Sequence, residues 1–113
     1  MNLSQKSIDE AVLPFYDAWQ GLSKDIQHCF EQEPTRCRQY ISTGYELYAE
    51  LKQTLVRLFG ESSPSPLNEE ERLSFVRHSK SAHAAFRQLE QLFRELKKKI
   101  ARQKIGYPVD CQK

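Results

Sequence analysis

Residues 67–104 read LNEEERLSFVRHSKSAHAAFRQLEQLFRELKKKIARQK, and their pattern decides the fold class. Glu69, Glu70 and Glu71 stand at the start, and Lys97, Lys98, Lys99, Arg102 and Lys104 at the end. That polarity complements a helix macrodipole. Asn68 is placed to cap the first turn, with Glu71 three residues on to reach back to it. Phe75, Ser79, Ala82, Phe86, Leu89, Phe93, Leu96 and Ile100 recur at alternating steps of four and three. This is one stripe down a helix. The spacing predicts a single helix over about 68–104, and such a stripe has to be buried against other elements.

Two upstream helices are available. Ser7 with Glu10 reads as a capping box. Ile8, Val12, Phe15, Trp19, Leu22, Ile26 and Cys29 follow on one face, widened by Leu13, Tyr16 and Phe30. Pro14 lies within this run and is expected to bend the helix or delay its start to about residue 13. Glu33-Pro34-Thr35 breaks the pattern. A second helix then carries Ile41, Tyr45, Tyr48, Leu51, Leu55 and Phe59 inward and stops at Gly60. Glu61 to Pro66 is a polar link stiffened by two prolines. No segment alternates as a strand does.

The expected architecture is all-α: an up-down-up antiparallel three-helix bundle with a longer third helix. Helices fall at about 8–33, 36–59 and 68–104, with a flexible N-terminus at 1–6 and a tail at 106–113. In this register Trp19 is a core anchor level with Ser79 to His83, where the small residues Ser79, Ser81, Ala82, Ala84 and Ala85 form its socket, and Gly44 lies within a turn. The third helix, at about 54 Å, outruns partners of about 37 Å. Its last turns therefore leave Leu96 and Ile100 without a partner, rimmed by Lys97, Lys98, Arg102 and Lys104. The competing reading has the chain turn back at Gly106-Tyr107-Pro108-Val109 and cover them.

A chain of 113 residues, 39% hydrophobic and 28% charged, falls among single folded domains rather than disordered segments. No apolar run approaches the roughly 18 residues of a membrane span, and the N-terminus lacks the layout of a signal peptide. Three cysteines, an odd number, fit a reducing compartment. The expectation is a cytoplasmic protein with no membrane partner. The net charge of +2 hides an asymmetry. Residues 1–34 carry two lysines against six acids, and residues 68–113 carry eleven basic against six acidic residues. The acidic first helix can pair with the basic third, or the basic end can meet an acidic partner.

Motifs for catalysis are missing: there is no phosphate loop, no paired-histidine metalloprotease motif and no serine elbow. The chain is accordingly expected to be no enzyme and to hold no cofactor. His78 and His83 are five residues apart on one helix and diverge. His28, Cys29, Cys37 and Cys111 fall at one end of the bundle, without the close spacing of a zinc knuckle, and no metal site is expected. Cys29 and Cys37 flank one turn at a separation that admits a disulfide, against the alternative of three independent thiols. Arg87 to Leu96 resembles a helix of a Mediator head-module subunit over ten positions, nearly all shared by any amphipathic helix, so no function is taken from it.

The functional expectation is a non-enzymatic helical protein–protein interaction module: an adaptor, a small chaperone or a subunit of a larger assembly. Its contact surface is the end of the third helix, with Leu96 and Ile100 as apolar anchors and Lys97, Lys98, Arg102 and Lys104 as the charged rim. The partner is a protein, and a second copy of the chain qualifies. The alternative is a regulatory protein that binds nucleic acid through the same basic helix.

Overall fold

A computed structural model of the chain describes residues 3–109. Four α-helices follow in order: α1 Gln5–Gln32, α2 Cys37–Phe59, α3 Glu69–His78 and α4 Ala82–Lys104. Among the described residues there is no strand, and no helix is long and apolar enough to cross a membrane. The all-α expectation holds. The single long third helix does not, because it is two helices folded back on each other.

The break lies at Ser79-Lys80-Ser81. Ser79 takes an extended backbone (ψ 137°), and Ser81 caps α4 by accepting from the Ala84 N–H at 3.1 Å. The Ser79 hydroxyl also accepts from the Ser81 N–H at 3.2 Å. Serine side chains compete with the helix for backbone partners in this way. Arg38 of α2 donates to the Ser79 carbonyl at 2.6 Å and so satisfies a group released by the break. Ahead of the break the stripe also fails at one position. Val76 is buried, whereas Phe75 is 45% exposed.

Contacts fix the directions of the helices. Cys29 meets Cys37 where α1 hands over to α2. Tyr48 and Lys52 of α2 meet Glu69 at the start of α3. Arg72 of α3 meets Glu95 of α4, and Lys104 at the end of α4 meets Asp9 near the start of α1. Thus α1 and α3 run one way and α2 and α4 the other. The three long helices share the core: Ile8, Val12, Trp19 and Ile26 meet Ile41, Tyr48, Leu51 and Leu55, and Phe86, Leu89, Phe93, Leu96 and Ile100. The short α3 lies against α2 and α4, contributing Val76 to the core with Leu73 packed against it, and is further tied by polar contacts.

With the break in place, α2 and α4 are each 23 residues, or about 35 Å. The length mismatch behind the expected overhang is gone. After α4 the chain turns back, placing Tyr107 on Phe59 with ring centroids 5.7 Å apart. The Pro108 and Val109 carbonyls then accept from the Gln5 and Lys6 N–H groups at 2.6 and 3.3 Å. These donors belong to the first turn of α1, which has no partners of its own. Residues 106–109 are therefore docked. The rest of the expected tail, Cys111 included, lies outside the described residues.

Other local expectations shift. The box that starts α1 joins Ser4 with Ser7, one turn earlier than Ser7 with Glu10. The helix runs on through Pro14; Pro14 and Glu10 both lie on the exposed side, so the carbonyl that loses its donor faces water. Asn68 makes no side-chain cap and sits in the left-handed region (φ 56°), its carbonyl accepting from the Arg72 N–H. Gly60 ends α2 at φ 63°, as expected.

Candidate partner-docking groove

The six residues expected to form a contact surface separate into three groups. Leu96 is fully buried and Ile100 is 4% exposed, so both belong to the chain's own core and neither is a free surface anchor. Lys104 is held by Asp9 at 2.7 Å. Lys97, Lys98 and Arg102 remain at the surface. Successive residues on a helix diverge by about 100°, so Lys97 does not share a face with Lys98 and Arg102. Lys97 turns toward α1, with Nζ 5.6 Å from the Tyr16 ring centroid.

What lies beside Lys97 is a groove of about 500 Å³ between α1 and α4. Its floor is aromatic. Trp19 stacks on Phe93 with centroids 4.2 Å apart and planes 13° from parallel. Tyr16 meets the same Phe93 edge-on at 5.9 Å, and its hydroxyl donates to the Phe93 carbonyl at 2.9 Å. Burial holds the Tyr16 hydroxyl well above the ordinary phenol range, so it is a fixed proton donor here. The rings interlock because α1 places Tyr16 and Trp19 one turn apart and α4 brings Phe93 between them. Such pairs stabilise beyond their area alone.

The rim combines one apolar group with charges of both signs. Leu13 lines the groove and is 51% exposed. Arg94 and Lys97 stand on the α4 side, faced by Asp17 on the α1 side. Further along, Lys24 and Glu90 continue the rim toward Gln27. From Leu13 to Gln27 the groove runs about 21 Å, four turns of helix. Trp19, expected as a core anchor, is 7% exposed and fills that role. Its ring neighbours are Phe86 and Phe93, with the backbone of Gly44 against it, so it lies level with Phe86 to Phe93 rather than with Ser79 to His83.

The groove has no signature of its own in the sequence. Leu13 and Tyr16 were visible as residues that widen the apolar face of α1 beyond one stripe. An over-wide face was the signal that could have found it.

The other candidate residues lie outside the groove. Among the described residues no three His, Cys, Asp or Glu side chains are grouped to hold a metal. His78 is engaged with Ser74 of its own helix at 3.0 Å. His83 stacks on Phe30 at 3.8 Å. A smaller cleft of about 300 Å³ between α2 and α3 is lined by Arg38, Tyr45 and Arg77, where Arg77 sits over the Tyr45 ring. Cys29 and Cys37 are both free and lie together.

Comparison with known proteins places most of the chain in one family. Residues 9–107 match the family model described as YpoC-like protein. No curated protein matches, and no solved structure matches.

Proposed function

We propose that this chain, which belongs to the YpoC-like protein family, is a non-enzymatic adaptor that binds an amphipathic helix of a partner protein in the groove between α1 and α4. The observation that carries this reading is the combination of an aromatic floor with a half-exposed leucine at the rim. Helix-in-groove recognition uses apolar anchors at i, i+3, i+4 and i+7 laid into such a floor. Aromatic groups in well-packed, desolvated pockets are where binding energy concentrates.

The rim specifies the partner's charge. Arg94 and Lys97 call for acidic residues along one edge of the incoming helix, and Asp17 calls for a basic residue on the other. A helix of about 14 residues spans the groove. The contact surface thus keeps Lys97 from the sequence-based expectation and replaces Leu96 and Ile100 with Leu13, Tyr16 and Trp19.

Selection of displayed helical peptides against the folded protein tests this directly. The expected winners carry the i, i+3, i+4, i+7 apolar pattern with one acidic edge. Their affinity falls at least about tenfold, or about 1.4 kcal/mol, with Leu13→Asp and with Lys97→Glu. Val56→Asp, an exposed site outside the groove, leaves it unchanged. Winners that bind all three variants alike would reject the groove. Duplex DNA binding that falls steeply with salt and is lost on charge reversal of Lys98 and Arg102 would favour a nucleic-acid role instead.

A further inference from the structure

The handover from α1 to α2 brings two thiols together with no part in the groove. Cys29 lies in the last turn of α1 and Cys37 is the first residue of α2. Their Sγ atoms are 2.9 Å apart, closer than thiols that are merely neighbours in a core and approaching the bond of about 2.05 Å. The geometry is imposed by the turn. Glu33-Pro34-Thr35-Arg36 reverses the chain in a single 3-10 turn, and the Glu33 carbonyl lies 3.3 Å from the Cys29 sulfur and 3.6 Å from the Cys37 sulfur. Both thiols thus converge on one acceptor, and each is held by the start or end of a long packed helix.

The two differ in access. Cys37 is fully buried, whereas Cys29 is 6% exposed and lines a hollow of about 550 Å³ together with His28, Gln32 and Tyr40. We propose that Cys29 and Cys37 are a reversible dithiol site that takes a small-molecule disulfide as its substrate and closes to an intramolecular disulfide across the α1–α2 turn. The Cys29 thiolate attacks the incoming disulfide, forming a mixed disulfide and releasing one small thiolate. The Cys37 thiolate then attacks Cys29 Sγ and releases the second. One small disulfide is reduced to two thiols while the protein dithiol loses two protons and two electrons. The order follows from access, because Cys29 lines the hollow and Cys37 does not. Burial, reinforced by the neighbouring Cys29 and the Glu33 carboxylate, also pushes the Cys37 thiol up to about 11, in keeping with its role as the second, resolving thiol.

The test uses the full chain with Cys111→Ser, so that only this pair can react. The folded protein is treated with oxidised glutathione, quenched with acid, unfolded, alkylated and weighed intact. The expected product has lost two hydrogens, takes up no alkyl group, and yields Cys29- and Cys37-containing peptides joined to each other. Dithiothreitol restores two alkylatable thiols. In Cys37→Ser a single glutathione remains on Cys29, and in Cys29→Ser nothing is added. Two free thiols after treatment, disulfides formed only between chains, or a glutathione adduct that persists on the protein with both cysteines would each overturn the proposal. The first protein alone decides the matter if either variant fails to fold. Peptide binding in the groove is a separate readout and does not depend on the outcome.

Discussion

The Trp19 indole rests on the bare backbone of Gly44, so close that a Cβ built there would lie 2.9 Å from Trp19 Cζ3. The same Cβ would meet Leu89 Cδ2 at 2.9 Å. Leu89 can turn aside, but the indole is fixed between this backbone and Phe93. Gly44→Ala should therefore lose about 1 to 3 kcal/mol to overpacking, against a helix-propensity gain of about 1 kcal/mol. Gly21 is the internal control, since it is exposed and nothing lies within 4 Å of its Cβ position. Gly21→Ala should raise stability by about 0.5 to 1 kcal/mol. Urea unfolding of both variants checks the pair, and equal effects would contradict the packing described.

Leu96 distinguishes core from contact surface. It is fully buried, and Leu96→Ala should cost about 2 to 5 kcal/mol by transfer and cavity terms. Lys98 lies on the solvent side of the same helix, and Lys98→Ala should stay within about 0.5 kcal/mol. Thermal unfolding compares them. A Leu96→Ala protein as stable as the parent would return that side chain to the surface.

Arg72 clamps α3 to α4 through two parallel bonds to Glu95, each 2.8 Å. The Arg72 guanidinium holds the Glu95 carboxyl below its ordinary value. A depressed carboxylate contributes stability above its unfolded value and loses it as pH falls through the native one. Arg72→Ala should cost about 1 kcal/mol at neutral pH, given the partial exposure of Glu95. The difference from the parent should shrink in acid. Hydrogen exchange should quicken in Glu69–His78 while α1 and α2 stay protected.

Alkali acts on other groups. Cys37 is pushed up to about 11, and burial raises Tyr16 and Tyr48 above the ordinary phenol range, Tyr48 further through its bond to Glu69. The native chain then keeps protons that the unfolded chain has lost, so stability falls with rising pH. The fall should begin near the ordinary thiol value of about 8.5 and steepen near about 10. Urea midpoints measured from neutral to alkaline pH check the sign. A flat profile would contradict the burial of these groups.

The elements differ in how plainly the sequence encodes them. The apolar periodicity of α1 and α2, the stop at Gly60 and the core role of Trp19 were all visible in the residues. The break at Ser79-Lys80-Ser81 was not, because it contains neither glycine nor proline and Ser79 fits a small-residue stripe. Its ends are satisfied partly by Arg38 from another helix, and no local pattern shows a partner 41 residues away. The groove was half legible. Leu13 and Tyr16 announced an over-wide face on α1, but only the packing of α4 shows that Phe93 is shared between Tyr16 and Trp19 while Leu13 stays open.

The sole tryptophan of the chain lies in the floor of the proposed docking groove, so its emission reports occupancy without a label. The decisive measurement is a titration of the protein with a selected acidic amphipathic peptide, following Trp19 fluorescence alongside peptide anisotropy. The account predicts that both signals saturate together, and that both are lost with Leu13→Asp. A peptide that binds by anisotropy while Trp19 emission stays constant would place the docking surface elsewhere on the bundle.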